Sequence, residues 1–418
     1  MTTIDRSAAA DLVSGGDAPI TYAPSAPAGV GAAPIVAGDG DAAAEHDRAV
    51  DAFADRMLGA ALATTDFLAA YLGDRLGWYR DLAAHGPSTA AELAARTGTA
   101  PRYALEWLEQ QAVSGVLELL HAVDDGAAAP AAGGAAAGGA TDAAARRFRL
   151  PAAAAEVLTD ESSLAYLGPL PRMFGAVGPQ LPALLDAYRS GGGVSWAQLG
   201  DDAREAQADL NRPWFGRLPQ AFAGVPAIDA VLAAPRARIA DVGTGEGWSA
   251  IALARAYPRL CVEGFDVDAP SIAAARSHAR AAGVEERVFF HVADGASLAE
   301  HGEFDAAFAF ECLHDMPQPV EVLSAMRRAV RPGGPVVIMD EAVAEELVAP
   351  GDEVDRLMYG FSLLVCLPDG LAHPRSAATG TVMRPSTLRR YASEAGFAGV
   401  GVLPIEDFSF FRFYELLR

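Results

Sequence analysis

The 418-residue chain has no lysine, only three cysteines and no long uncharged apolar run, and each shortage narrows what it can be. Its 32 basic residues are all arginines, and 54 acidic residues outnumber them to give a net charge of −22. A surface of that sign repels phosphate backbones and anionic membranes, which argues against a nucleic-acid binder. Cys261, Cys312 and Cys366 lie far apart without C-x-x-C spacing, so no disulfide framework is expected. The eight histidines are scattered without matching cysteine or carboxylate spacing, and no metal site is expected. Acidic residues interrupt the first apolar stretch, and no later one is long enough to span a bilayer. A soluble, cytoplasmic protein is the expectation.

What is present is ample apolar material, 51% of the residues, enough for cores in two or three domains. Residues 1–44 are rich in Ala, Gly, Pro and Asp and are read as a disordered tail, because they hold too few large apolar side chains to offset the entropy of ordering. Residues 45–150 read as packed helices followed by a hairpin, with Ser88 or Thr89 able to cap a short helix that Gly98 ends. A Gly/Ala-rich stretch at 126–145 reads as the expanded tip of that hairpin. Helix, turn, helix and hairpin are the outline of a winged-helix-like domain. Residues 151–234 read as a helical connector and pocket cover. From 235 to 418 short apolar runs alternate with helical segments, the pattern of a doubly wound, mostly parallel α/β sheet of Rossmann type.

The strongest local signal follows the run ARIA: Asp241, then Gly243, Gly245 and Gly247, directly before a helical segment. Glycines there permit a tight turn and let bare backbone approach a ligand at a helix N-terminus. Asp266 ends the next strand, 19 residues beyond Gly247, where a carboxylate can accept both hydroxyls of a ribose. The two together predict a nucleoside-binding half-fold.

The run D-V-G-T-G-E-G resembles motif I of class I S-adenosylmethionine-dependent methyltransferases, and its G-x-G-x-G spacing differs from the G-x-G-x-x-G of dinucleotide enzymes. The resemblance continues through Asp294, where that family's acidic residue binds the adenine amino group, and through FDAAFAFECLHDM to the R-P-G-G turn. Over roughly residues 46 to 418 the arrangement is similar to small-molecule O-methyltransferases of plants and of bacterial natural-product pathways. It implies S-adenosyl-L-methionine as cofactor, held by Asp241, Gly243, Gly245, Gly247, Asp266 and Asp294. It also implies a small-molecule methyl acceptor, modified on oxygen or nitrogen, and a homodimer made through the front domain.

The resemblance breaks at the catalytic base. Laying LHDMPQPV on the plant H-D-W-S-D pattern puts the base at Pro319 or Val320, neither of which can accept a proton. His314 is the substitute candidate, with a structural histidine bonded to backbone as the other reading. Trp214, Phe215, Tyr359 and Phe361 are candidates to line an apolar acceptor pocket, with core packing as their alternative. Two other functions stay open: a winged-helix regulator that senses a ligand, and an S-adenosylmethionine-binding protein with different chemistry. The first needs a basic recognition helix, and residues 101–114 offer only Arg102 against Glu106 and Glu109.

Overall fold

In the computed structural model, which describes residues 39–120, 143–406 and 408–418, the first element is a 37-residue helix, α1 (Asp39–Arg75). It begins inside the stretch read as a tail: residues 39–44 are helical, in keeping with the high helix propensity of their alanines. The rest of that tail, and most of the Gly/Ala-rich tip, lie outside the described residues. Residues up to Ala60 form one unit and Ala61–Arg418 another.

The second unit takes in the last part of α1 and continues with α2 (Trp78–His85), α3 (Ala90–Thr97) and α4 (Pro101–Val113), then strands β1 (Glu118–Leu120) and β2 (Arg147–Arg149), paired antiparallel with Leu119 opposite Phe148. Thr89, not Ser88, caps α3: its hydroxyl accepts the Glu92 N–H while the Glu92 carboxylate accepts the Thr89 N–H. Ser88 instead exchanges backbone hydrogen bonds with Phe148, tying the helices to the hairpin. Gly98 closes α3 in the left-handed conformation that favours glycine. Trp78, Tyr79, Leu82, Leu93, Leu108 and Phe148 are buried together beneath these elements.

Six helices follow: α5 (Ala152–Thr159), α6 (Leu170–Val177), α7 (Leu181–Ser190), α8 (Trp196–Phe215), α9 (Leu218–Ala223) and α10 (Pro226–Ala233). Helix α8 breaks at Gly200 and then runs on, presenting Arg204, Gln207 and Asn211 along one face.

The remainder is a seven-stranded sheet. Its elements are β3 (Arg238–Val242), α11 (Trp248–Ala256), β4 (Cys261–Asp266), α12 (Ala269–Ala281), β5 (Val288–Val292), β6 (Ala306–Phe310), α13 (Pro319–Ala329) and β7 (Val336–Glu341). After these come α14 (Glu353–Phe361), a π-helical turn (Ser362–Cys366), α15 (Leu367–Leu371), α16 (Pro385–Glu394), β8 (Gly399–Val402) and β9 (Phe411–Leu417). The strand order is β5-β4-β3-β6-β7-β9-β8, parallel except for β9, which runs antiparallel to both neighbours. Strands β6 and β7 are buried along their whole length, which is why they read as unbroken apolar runs. One face of the sheet packs Phe222, Leu253, Phe308 and Phe413; the other packs Leu323, Met326, Leu388 and Tyr391. Strand order reverses between β3 and β6, the place where open α/β sheets leave a crevice beyond their carboxyl ends.

A buried ion network joins the end of α1 to this arrangement. Arg172 of α6 lies 3.0 Å from Asp74 and 2.7 Å from Asp209 of α8, with its side chain only 6% exposed. Replacing Arg172 with Met strands the Asp74 carboxylate, which is 3% exposed, and Arg80 compensates only in part. Arg172→Met is therefore expected to lower unfolding stability by about 3 kcal/mol, with most of it recovered when Asp74→Leu is added, as measured by denaturant titration.

Candidate active site at the carboxyl edge of the sheet

The three loop glycines all sit at positive φ (72° at Gly243, 52° at Gly245 and 81° at Gly247), and each does something different. A Cβ at Gly243 would lie 2.5 Å from the Cys312 sulfur, and one at Gly247 2.5 Å from the Phe290 ring, so both are places of close packing. A Cβ at Gly245 would meet nothing within 4 Å: there the loop faces open space. The Asp241 carboxylate points into the protein, accepting the hydroxyls of Thr244 (2.8 Å) and Ser249 (2.5 Å). It braces the loop and the first turn of α11, and burial pushes its carboxyl up to about 6.

Asp266, at the end of β4, accepts the Gly245 N–H on one oxygen (2.8 Å) and the Asp268 N–H on the other (2.9 Å). Each oxygen keeps a free lone pair for further donors, such as ribose hydroxyls. Burial raises this carboxyl as well. Asp294, just past β5, is exposed; it accepts the Ala296 N–H and caps a 3-10 turn, Gly295–His301. The six predicted cofactor residues thus fall in a row on the ends of three adjacent strands.

Helix α8 covers this row with residues that the sequence reading did not single out. Arg204 makes a two-pronged contact with Asp268 (2.8 and 3.2 Å). Gln207 donates to one oxygen of Glu311 at 3.0 Å, and Asn211 donates to the other. The Arg212 guanidinium lies 4.3 Å above the Trp248 ring, which stacks on His278. Glu311 is the first residue after β6 and adopts φ 52°, unusual for a non-glycine. Burial lifts its carboxyl to about 7 against the opposing pull of His314 and of the Asn211 and Gln207 bonds. Glu246, in the loop, is also lifted by burial to about 7.

The next cluster centres on His314, which is 3% exposed. Its Nδ1 lies 2.8 Å from Asp340 and 3.2 Å from Glu341, the last two residues of β7, while Nε2 lies 3.3 Å from Asp315. Its ring is therefore bonded to carboxylates, not to backbone. Burial opposes the charged ring, but Asp315, Asp340 and Glu341 outweigh it and hold the imidazole well above its usual range. Asp340 is held below the usual carboxylate range, chiefly by the His314 charge against burial, whereas burial pushes Glu341 well above. Donor atoms of His314, Asp340 and Glu341, and those of His314, Asp315 and Cys366, lie within 4.8 Å of one another. The fold thus assembles a donor set that the scattered histidine spacing did not reveal. Pro319 and Val320 start α13 and place no titratable group here.

The aromatic candidates divide. Trp214 packs on Phe408 and Phe215 on Phe310, both within the layer between the helices and the sheet, so core packing accounts for these two. Tyr359 is exposed, and its hydroxyl accepts from Arg384. Phe361 closes a run of rings with Phe174 and Phe67, at 5.7 and 5.4 Å, against Met173, Val177 and Val365. Cys366, at the end of the π-helical turn, connects that apolar wall to the His314 cluster.

Comparison with known proteins places residues 239–334 in the methyltransferase domain family. The chain is 32% identical over 144 residues to 27-O-demethylrifamycin SV methyltransferase of Amycolatopsis mediterranei, covering 34% of this chain and 53% of the relative. It spans about half the length of the first curated relatives it matches. Among solved structures, mitomycin 7-O-methyltransferase superposes with a TM-score of 0.61 at 20% identity, covering 90% of this chain and 99% of that one. Human N-acetylserotonin methyltransferase, solved with SAM, gives 0.58 at 19% identity over 87% and 97%. At these identities the likeness establishes a shared fold, the mostly parallel seven-stranded sheet behind a helical N-terminal region.

Proposed function

We propose, from the premise that residues 239–334 form a methyltransferase domain, that the chain transfers a methyl group from S-adenosylmethionine to an oxygen or nitrogen of a small secondary-metabolite acceptor. The observation that carries this is the row of groups at the carboxyl edge: open backbone at Gly245, the Asp266 carboxylate beside it, and exposed Asp294 one strand further on. These residues fit a nucleoside with an amino-acid tail. Asp266 would hold the ribose, Asp294 the adenine edge, and the glycine loop the tail, with Asp241 bracing the loop from beneath. When bound, the cofactor supplies a methyl group on a positively charged sulfur that is an excellent leaving group.

The apolar wall of Met173, Phe174 and Phe361 suits an aromatic acceptor. His314 stands where that wall meets the sheet. With Asp340 accepting the proton on Nδ1, Nε2 is the nitrogen that would take a proton from an acceptor hydroxyl, once that hydroxyl displaces the Asp315 carboxylate that rests 3.3 Å away. A strong base is not essential to such a transfer, since alignment alone can supply about 7–11 kcal/mol, and His314 is assigned a role that assists and orients. The winged-helix-like front domain is read as a dimerisation module. Along α1 the side chains of Val50, Phe53, Met57 and Leu58 are each more than half exposed, a stripe at helical spacing that a second copy would cover. On α4, Arg102 is paired with Glu106 and Glu109 with Arg146, which leaves no basic face for a DNA duplex. No described helix is long and apolar enough to cross a membrane, and the three cysteines are free, in keeping with a cytoplasmic setting.

Incubation with methyl-labelled S-adenosylmethionine and a metabolite library tests the activity; label that never leaves the cofactor would refute it. Asp266→Ala should weaken S-adenosylmethionine binding about ten- to a hundredfold by calorimetry, through loss of charged hydrogen bonds of about 1.5–3 kcal/mol. His314→Ala should lower turnover by up to about a hundredfold while leaving cofactor affinity nearly intact. A base acts when deprotonated, and the carboxylates raise the His314 pKa above 6.5, so the native rate should climb with pH through a limb displaced above that value. The variant should lack this limb, and an unchanged profile would make His314 structural. Light scattering should give a dimer for the full chain; a monomer would refute the front-domain assignment.

A further inference from the structure

Glu311 follows β6, the strand paired with β3, from which the glycine loop leaves. Cys312, the next residue, packs against Gly243, and its sulfur donates to the Val242 carbonyl at 3.2 Å. At φ 52° the Glu311 backbone occupies a conformation that costs of order 1 kcal/mol for a side-chain-bearing residue and persists only where the surroundings impose it. Its side-chain hydrogen-bond partners among the described residues, Gln207 and Asn211, are neutral amides, and both come from α8. This sets it apart from its neighbours along that helix, where Arg204 answers Asp268 and Arg172 answers Asp209. Among the described residues no arginine pairs with Glu311.

The charged groups that face it do not supply what is missing. His314, from the same loop, attracts it, but that imidazole is already shared among Asp315, Asp340 and Glu341. Asp340, from β7, repels it, and α8 contributes only the two amides. Glu311 nevertheless keeps some accessible surface. A carboxylate held in place by neutral donors, short of countercharge and partly exposed at the carboxyl edge of the sheet, suits a cationic ligand.

Resting on the reading of this cleft as the cofactor site, we infer that Glu311 is the residue by which the protein distinguishes the positively charged sulfonium cofactor from the uncharged thioether left after methyl transfer. The carboxylate supplies countercharge to the sulfonium, and its bonds to Gln207 and Asn211 report its charge state to α8. With the sulfonium present, Glu311 is ionised and accepts from both amides. With the thioether present the countercharge is gone, and Glu311 returns to the partly protonated state of the empty site. In the protonated fraction one oxygen carries a hydrogen and the carboxyl is neutral, so the bonds it accepts from the α8 amides lose their charge assistance and weaken. The hold of α8 on the cleft weakens when product is present. Burial, by placing the carboxyl near 7, makes this exchange accessible at neutral pH.

The test is titration calorimetry at pH 7 in two buffers of different ionisation enthalpy, with S-adenosylmethionine and with S-adenosylhomocysteine, on the native chain and on Glu311→Gln. The native chain should release about half a proton more than the variant on binding the sulfonium, because a carboxyl near pH 7 is about half protonated beforehand. With the thioether the two should not differ. Glu311→Gln should weaken sulfonium binding about tenfold, one pKa unit of lost interaction, and thioether binding less than about twofold. Glu311→Asp, which keeps the charge, should restore most of the proton difference. The native chain also gives a reading that needs no variant: the excess proton release for sulfonium over thioether should peak a little below pH 7, midway between the free and the sulfonium-bound values of the carboxyl. Equal weakening of both ligands in Glu311→Gln would make Glu311 a structural tether and overturn the inference, as would equal proton counts or a flat native profile. Failure of the native chain to bind either ligand would instead overturn the cofactor reading, and this inference with it.

Discussion

Buried carboxylates held by neutral donors are the constraint on which the rest of this site depends. Asp241 is satisfied by two hydroxyls, Asp266 by two backbone N–H groups, and Glu311 by two side-chain amides. Hydrogen bonds from uncharged groups keep a carboxylate in place without cancelling its charge, so negative potential gathers along the carboxyl ends of β3, β4 and β6. Arginines lie nearby, but their guanidinium groups are spent on Asp74, Asp209 and Asp268, further out. The arrangement costs stability, since burial raises the carboxyls of Asp241, Asp266 and Glu311 alike. That cost is spread over three strands, and no single carboxylate bears it.

Helix α8 makes the row of strand ends into an enclosed place. Its contacts are spaced so that successive turns touch different parts of the sheet edge: Arg204 the end of β4, Gln207 and Asn211 the end of β6, Arg212 the start of α11. Through Arg172 the same helix is tied to α6 and to the last turn of α1. One helical element past the break at Gly200 therefore touches the ends of β4 and β6, the start of α11 and, through Arg172, the front helices.

Much of the geometry at the ends of β3 and β4 was legible in the sequence because it is local. Gly243, Gly245, Gly247 and Asp266 sit at fixed offsets from two strands, and the strands announced themselves as buried apolar runs. The polar partners were not legible, because they come from far along the chain. Asn211 lies a hundred residues before Glu311, and Asp340 lies 26 after His314. Nothing in local spacing predicts such pairings. Trp214 and Phe215 went to the core for a related reason. They share a face of α8 with Asn211, but one turn further on that face has passed the cleft and meets the sheet, where Phe215 packs on Phe310, the residue next to Glu311. Aromatic content marks a face as apolar without saying where along it the cleft stops.

The π-helical turn at Ser362–Cys366 has a consequence for how this fold can diversify. A π turn accommodates one residue more than an α turn, so each side chain after it is rotated by about 100° from where an uninterrupted helix would put it. The placement of Val365 against the apolar wall, and of Cys366 beside His314, is thus a matter of counting as much as of identity. Gaining or losing a single residue in this turn would re-aim the whole segment, presenting different side chains to the apolar wall and to His314 while every residue of the sheet and glycine loop stayed the same. Specificity in such a scaffold can drift by insertion, in a part of the chain where substitution patterns would record almost nothing.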